Sequence, residues 1–503
     1  MLFARDNQLN EGQYRRLCNA CDEILTSERM ITNIEAIQWL HVIREHPIFL
    51  KNYDGLFRQN SVSQKLLGIS KRVIIEIASL MRQLWWLIVH SNNLYIGERY
   101  QNQNIDFLFV SHLISKEHFG RENDFYFGNM PTDLASMGYK VAIILINQTS
   151  LCKRSVAVLE HQPIVPRILL SKSLKISKEF QIWKKVIKLR TAITHELKSR
   201  QRNFNRKVLE RAAWESVSRS TRSTFRTSIA ISEIVAELRP RVVVTTYEGH
   251  SWERMVYASA KQIDNRIQCV GFLHAALFRL QHAAFRNLKK NYNPDRLLVS
   301  GKVGLRQLNN KTQLQDIPIE NVGSNRFVEI IDKNTVEMCL VLPEGDISEC
   351  KRLFSYSLIC ARKNPNIMFV WRVHPNQRKL KLRNFGLGIN TLPENVMLSN
   401  NTLEEDISNA KWALYRGSTA IIAAAANGVM PVYLGRLGEL SINPLYEISH
   451  LHQTEFDLKE GSFRVIDKSQ VNEIVRYCRD FYTPPNVDVL ENILKLQQTP
   501  FNK

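Results

Sequence analysis

The sequence predicts an α/β protein of two doubly wound, Rossmann-like parallel domains with a helical segment in front. Three observations predict it. Compact runs rich in Val, Ile, Leu and Phe recur along the chain, as strands buried on both faces require. Most are followed by a helical stretch and then another apolar run, the grammar of parallel crossovers. That grammar starts twice, at Ile105 and again at Val336. A chain of 503 residues is also too long for one core.

The first hundred residues carry no strand alternation and read as a helical extension, residues 1–100. Within it, IEAIQWLHVIREHPIFL (Ile34 to Leu50) has apolar residues at mixed helical spacing until Pro47 interrupts. The apolar stretch IASLMRQLWWLIV, Ile77 to Val89, is broken by Arg82 and falls well short of the ~20 residues needed to span a bilayer. It is expected to be a buried helix, with an interfacial amphipathic helix as the alternative. The first strand of the α/β part is IDFLFVSHLI from Ile105. A helix around Pro131 to Met137 leads to the second strand, Tyr139 to Asn147, and Arg167 to Ser171 is a third. A long Lys/Arg-dense helical insert runs from about Lys175 to Leu238. Strands then resume at Arg241 to Gly249 (running into a loop), Ile267 to His274, Asp295 to Gly301 and Ile319 to Val322. A domain boundary is placed at Gly323-Ser324, dividing 101–323 from 324–503.

In the second half, VEMCLVLPEGD (Val336 to Asp346) is strand and loop, and IMFVWRVHP (Ile367 to Pro375) repeats the pattern. Asn395 to Leu398 is a short strand, followed by a helix opened by Thr402 with acids in its first turn. KWALYRGST leads into the small-residue helix AIIAAAANG, stopped by Gly428, and Met430 to Gly435 is the last strand.

A hydrophobic fraction of 44% and a charged fraction of 23% are ordinary for a globular protein, whereas a net charge of +20 is not. The excess calls for an anionic partner: nucleic acid, an acidic membrane leaflet or an anionic substrate. The basic residues are spread and lack the interleaved aromatics of a base-stacking platform, so nucleic acid is not an expected partner. The N-terminal stretch has no signal-peptide core. Of eight cysteines, Cys18 and Cys21 form a single CxxC with no second pair and no nearby histidines. Cys339, Cys350 and Cys360 read as small core residues. A reducing cytoplasm fits this usage.

Ligands of open parallel sheets bind beyond the carboxyl ends of the strands, and four loops there carry chemistry. In YRGST, Gly417, Ser418 and Thr419 lead into a helix, a place for a phosphate or carboxylate to which Arg416 can add a contact; a plain N-cap is the alternative. In WRVHP, His374 ends a buried strand beside Pro375 with Arg372 on the same strand face, and a structural histidine is the alternative. In TTYEGHSWE, Glu248 ends a strand, Gly249 permits a sharp turn and His250 opens a helix. A carboxylate there can take a proton from a hydroxyl, unless Glu248 or Glu253 merely caps the helix. In LPEGD, Gly345 lets a ligand approach the backbone. His112, in VSHLI at the end of the first strand, is a further candidate to face the cleft.

The acid-Gly loop, the HP pair and the Ser/Thr pair together resemble bacterial sialyltransferases and polysialyltransferases. Parts of the pattern are shared with capsule Kdo transferases and CDP-glycerol transferases of the same two-domain, GT-B-like fold. The resemblance covers residue 105 to the end. It implies an acceptor domain (101–323) and a nucleotide-sugar donor domain (324–503). It further implies that Glu248 is the general base, that His374 and Pro375 hold the cytidine monophosphate part of the donor, and that Ser418 and Thr419 hold its phosphate. Gly345, Arg372 and Arg416 fall on the donor side, and Gly249, His250 and His112 on the acceptor side. The sequence departs from the pattern in having Tyr247 rather than a second acid before Glu248, and Thr419 where a Ser is common. The implied reaction is an inverting transfer of a sialic-type sugar or Kdo from a CMP donor to a lipopolysaccharide or capsule glycan. It is expected to need no cofactor and no metal, and to take place in the cytoplasm with peripheral association at the inner membrane face. A polyol-phosphate transferase using CDP-glycerol and a non-catalytic basic binding or scaffold protein are the rival expectations.

Overall fold

The computed structural model describes residues 9–27, 31–58, 62–90, 104–151, 163–334, 336–374, 392–435, 438–448 and 468–498. Pro375 and Cys152 lie outside these. Seven strands form the first sheet: β1 Phe107–Leu113, β2 Val141–Asn147, β3 Arg167–Leu169, β4 Val242–Thr246, β5 Gln268–Leu273, β6 Arg296–Val299 and β7 Ile319–Asn321. Five form the second: β8 Met338–Leu342, β9 Met368–Trp371, β10 Val396–Leu398, β11 Trp412–Tyr415 and β12 Met430–Tyr433. Each lies within a run expected from the apolar pattern, and the class is the expected α/β one, with two doubly wound parallel sheets.

The order of the first sheet is β3-β2-β1-β4-β5-β6-β7 and that of the second β10-β9-β8-β11-β12, with every pair parallel. Both are doubly wound. The chain moves outward from β1 through β2 to β3, then restarts on the other side of β1 at β4. It does the same from β8 through β9 to β10 and back to β11. Each sheet therefore has one switch point, between β1 and β4 and between β8 and β11, where the crossovers on either side leave a crevice at the carboxyl edge. The strands flanking it are buried throughout or nearly so, which is why they read as unbroken apolar runs.

The helices of the first hundred residues share the core of the first sheet. Helix α1 (Glu11–Thr26) is opened by a capping box between Asn10 and Gln13 and buries Leu17, Cys21 and Leu25 on one face. Ile34, Ile37, Leu40 and Leu50 join the same cluster. Helix α2 (Val62–His90) corrects the expectation of a buried helix. Ile74, Ile77, Met81 and Trp85 are 66%, 55%, 63% and 61% exposed. The reason is that α2 docks through its polar face: Glu76 pairs with Arg222, and Gln83 reaches the Lys172 carbonyl and Glu179. No helix among the described residues is long and apolar enough to cross a membrane.

Helix α3 (Met130–Ser136) lies between β1 and β2, and the basic insert folds as α4 (Ile176–Ser199), α5 (Phe204–Glu215) and α6 (Arg219–Leu238). Helix α7 (Ser251–Ile263) follows β4, and α8 (Lys302–Asn309) follows β6. On the second sheet, α9 (Ile347–Lys363) is capped by Asp346, α10 (Leu403–Asn409) by the Thr402 capping box, and α11 (Ala420–Ala426) ends at Gly428 with φ +76°. Helix α12 (Lys468–Arg479) buries Ile474 and Cys478 in the second sheet's core. The last helix, α13 (Asp488–Gln498), returns to the first sheet, where Leu490, Ile493 and Leu494 pack with Phe107 and Val242.

The returning chain ties the two sheets together through backbone hydrogen bonds. Thr483 N–H donates to Ser300, Ser324 N–H to Thr483, and Asn486 N–H to Val322. The crossing demands glycine at 323. Its φ is +74°, and a Cβ would sit 2.0 Å from the Pro484 carbonyl oxygen. Replacing Gly323 by Ala should therefore destabilise the protein by about 1–3 kcal/mol, read as a lowered midpoint of urea unfolding.

Candidate active site

Beyond the carboxyl edge of the first sheet lies a cavity of about 790 Å³. Three strands that are neighbours across the switch point supply its reactive groups: His112 from the end of β1, Glu248 after β4 and His274 after β5. Position 248 follows β4 by two residues, and Gly249 then turns the chain with φ +85°. A Cβ at 249 would lie 2.3 Å from the Ala283 carbonyl oxygen, so the loop is seated directly on its neighbour. Glu253 performs the capping that Glu248 was the other candidate for. Its carboxylate accepts the backbone N–H groups of Glu248, Gly249 and His250, and Glu248 is left to face the cavity.

Glu248 has three cationic or potentially cationic neighbours. Arg44 pairs with it at 2.5 Å, His250 Nε2 lies 3.4 Å away and His274 Nε2 lies 3.8 Å away. Burial pushes its carboxyl pKa up, but the charge of Arg44 and the hydrogen bond with His250 outweigh that and hold it well below the ordinary carboxylate value. Burial lowers His250, yet the hydrogen bond to Glu248 and the charges of Glu253 and Glu248 leave it above its usual value. His112 and His274 are pushed down by burial to about 3 and about 4, and so stay neutral. His112 Nδ1 meets the Gln148 amide at 3.1 Å and its ring packs edge-on against Trp252. The Gln38 side-chain oxygen accepts from Ser251 N–H and Oγ, while its amide nitrogen meets His250 Nδ1 at 3.2 Å.

The second sheet builds its own cluster at its switch point. Glu344, after β8, accepts the Gly417 N–H, after β11, at 2.9 Å. A Cβ on Gly417 would lie 2.3 Å from that carboxylate, and one on Gly345 3.2 Å from the His374 ring. Glu344, Gly345, His374 and Gly417 thus meet, with Ser418 next along the chain from Gly417. Burial lowers the pKa of His374 against an opposing pull from Glu344. Ser418 is buried and Thr419 exposed, and Thr419 makes no side-chain cap. The following helix has only seven residues, so a ligand here would meet hydroxyls and a backbone N–H more than a macrodipole.

Two residues expected on the donor side are paired within their own domain. Arg416 is 3% exposed and its guanidinium is taken by Glu349, Glu439 and the Leu434 carbonyl. Arg372 is held by Asp406, Ser399 and the carbonyls of Asn401 and Thr402. Both are long side chains beside buried acids, and pairing inside the domain wins. Among the described residues no cluster of three or more His, Cys, Asp or Glu is arranged to hold a metal ion.

Sequence reading missed the segment that joins the two clusters. Arg44 pairs with Glu248, Glu45 accepts the Leu280 N–H at 2.6 Å, and His46 Nε2 meets Glu344 at 2.5 Å. The signal was present in REHP, three ionisable residues before a proline inside an otherwise apolar stretch. His274 was also legible by the rule that picked out His112 and His374, a histidine ending a buried strand.

No family model matches the chain, and no curated protein matches it. Among solved structures it is similar to the glycotransferase of kitacinnamycin, at 12% identity over 79% of this chain and 100% of that one, with a TM-score of 0.41. It is similar to MurG of Acinetobacter baumannii at 9% identity, over 78% and 99% of the two chains, with a TM-score of 0.43. A UDP-GlcNAc 2-epimerase of Neisseria meningitidis bound to UDP-GlcNAc matches at 12%, 78%, 100% and 0.40 respectively. Likenesses of this size add no argument to the topology of the two sheets.

The fully buried Glu253 makes the site's stability depend on pH. Burial raises its carboxyl to about 7 from an unfolded value of 4.5. Between those values the folded state holds a proton that the unfolded chain has released, so stability falls as pH rises. Glu253→Gln should flatten the loss of stability between pH 4.5 and 7 relative to the parent, as followed by urea unfolding at a series of pH values.

Proposed function

We propose that the chain is a glycosyltransferase that moves a sugar from a nucleotide donor to a glycan or glycolipid acceptor, with inversion at the anomeric carbon. The observation that carries this reading is the pairing of two switch-point clusters, a carboxylate with histidines on the first sheet and a His, Ser and Thr set on the second. The segment Arg44–Glu45–His46 spans them. A group-transfer enzyme needs this division: one side takes a proton, the other holds a leaving phosphate.

In the proposed reaction the acceptor enters the first cavity and its hydroxyl lies against Glu248. The hydroxyl oxygen attacks the anomeric carbon as the bond from that carbon to the donor phosphate breaks. The proton passes to Glu248, with His250 beside it sharing the charge. The departing phosphate is held by Ser418, Thr419 and His374, which gains basicity beside an anion. Glu344 now occupies the Gly417 N–H and the His46 ring. A donor phosphate takes over those contacts when the carboxylate turns away, so donor entry and release of His46 are coupled. On the match of His374, Ser418 and Thr419 to the CMP-binding pattern, the donor is proposed to be a CMP-linked acidic sugar, sialic-type or Kdo. A surface glycan is the proposed acceptor, and the cationic chain suits an acidic one. Pro375 follows His374 in that pattern.

A thermal-shift series with CMP, CDP, UMP, UDP, GDP and ADP tests the donor. Stabilisation by CMP above the others, lost in His374→Ala, is the expected result. A preference for CDP points to polyol-phosphate transfer, UDP or GDP refutes the CMP assignment, and silence towards all six refutes the transferase reading. The base is tested separately. Glu248→Gln should lower kcat by about 10²–10⁴-fold while leaving the nucleotide-induced shift intact, and an unchanged kcat would remove Glu248 from that role.

A further inference from the structure

Helix α2 is an amphipathic helix mounted inside out. Its polar residues Glu76, Ser79 and Gln83 face the body, and Ile74, Ile77, Met81, Leu84 and Trp85 form an exposed stripe at helical spacing. The stripe continues onto the start of α4, which Gln83 touches at Glu179: Ile176 and Phe180 are exposed there as well. An apolar stripe of this length on a chain of net charge +20 calls for a cover.

The chemistry of the cover is set by what lies behind α2. A second cavity, of about 420 Å³, opens between α2, the end of β3 and α6. Five cations line it. Arg222 pairs with Glu76 and Arg226 with Glu179, whereas the charged side-chain ends of Arg82, Lys172 and Arg219 make no ion pair with a carboxylate among the described residues; the Arg219 backbone N–H donates to Glu76. Lys172 is held over the Trp86 ring at 4.8 Å. Arg82, Lys172 and Arg219 line the same cavity, and burial with the charges of Arg219 and Arg82 pushes the Lys172 ammonium down. Uncompensated cations beside an exposed apolar stripe match the two layers of an anionic bilayer surface: phosphates outside, acyl chains beneath. A second protein copy would bring its own cations to the same place, and like charges would oppose the contact.

We propose that α2 lies in the surface plane of an anionic membrane, its stripe at the headgroup–acyl boundary and Arg82, Lys172 and Arg219 on lipid phosphates. The basic cavity shares Ile146, Asn147, Gln148, Ser223 and Thr227 with the cavity of Glu248. On the transferase reading, this places a lipid-linked acceptor at the mouth of the acceptor side. The docking itself does not rest on that reading.

Flotation of the full chain with phosphatidylcholine vesicles, and with vesicles that also contain phosphatidylglycerol, tests it without nucleotide or acceptor. The protein should float with the anionic vesicles at least about tenfold more than with the neutral ones, less so as salt rises. Met81→Asp with Trp85→Asp should abolish flotation. Arg82→Glu with Arg219→Glu should remove the preference for phosphatidylglycerol. All four side chains are exposed, and an unchanged thermal midpoint verifies that the variants fold. The proposal is overturned if the protein floats with neither vesicle or equally with both. It also fails if either folded pair of variants floats as the parent does, or if light scattering finds a dimer that Met81→Asp with Trp85→Asp dissolves. A chain that floats yet ignores every nucleotide keeps the docking and loses the transferase. A chain that binds CMP but does not float does the reverse.

Discussion

The ion pair between Arg44 and Glu248 is the contact on which the rest of the site depends. A carboxylate placed at the end of a buried strand is costly to leave charged, and Glu248 is only 15% exposed. A neutral Glu248 would have no use as a base and would not hold the neighbouring histidines. Arg44 settles its ionisation, and His250 is raised in turn by Glu248 and Glu253. The cost of that settlement falls on basicity, since a carboxyl held well below its usual value is a reluctant proton acceptor. On the proposed transferase reading, an acceptor hydroxyl that displaces Arg44 from one carboxylate oxygen would restore that proton affinity.

The topology explains why these groups meet at all. Sequence distance puts Arg44, His112, Glu248 and His274 far apart, but β1, β4 and β5 are adjacent and their carboxyl ends form one edge. The same holds for Glu344 and Gly417, which belong to β8 and β11 on either side of the second switch point. The helical leader completes the arrangement by contributing to the first core with α1 and carrying 44–46 across the crevice. Truncating the first hundred residues would therefore remove site chemistry as well as core.

What was legible in the sequence follows from which forces act locally. Strands buried on both faces impose apolar runs regardless of context, so the central strands such as β1, β4, β8 and β11 could be read directly, whereas the half-buried β7 and β10 were read from their place between helical stretches. Helix caps such as Thr402 and Gly428 are equally local. Glu248, His112 and His374 were legible because chemistry at a strand's carboxyl end is a general rule. The partners of Arg372 and Arg416 were not legible because pairing is decided in three dimensions: Asp406 and Glu349 are distant in sequence, and nothing near the arginines announces them. Helix α2 was misread for a related reason. Its apolar stripe fits burial as well as exposure, and only the docking of Glu76 and Gln83 on Arg222, Lys172 and Glu179 decides which face turns inward.

The second sheet's cluster is tied to the first by the same segment. Glu344 holds the Gly417 N–H and His46 together, an internal anion in contact with groups that a phosphate would also recognise. His46 is two residues from Arg44, so whatever displaces Glu344 acts on the strip that also neutralises Glu248. A donor phosphate competing for Gly417 and His46 would loosen the strip from the second sheet, and Arg44 with it. Glu248 would then lose its strongest counter-charge when the donor is in place, and its basicity would rise with both substrates present. Binding on one sheet would in this way prepare proton transfer on the other, with residues 44–46 as the only covalent link required.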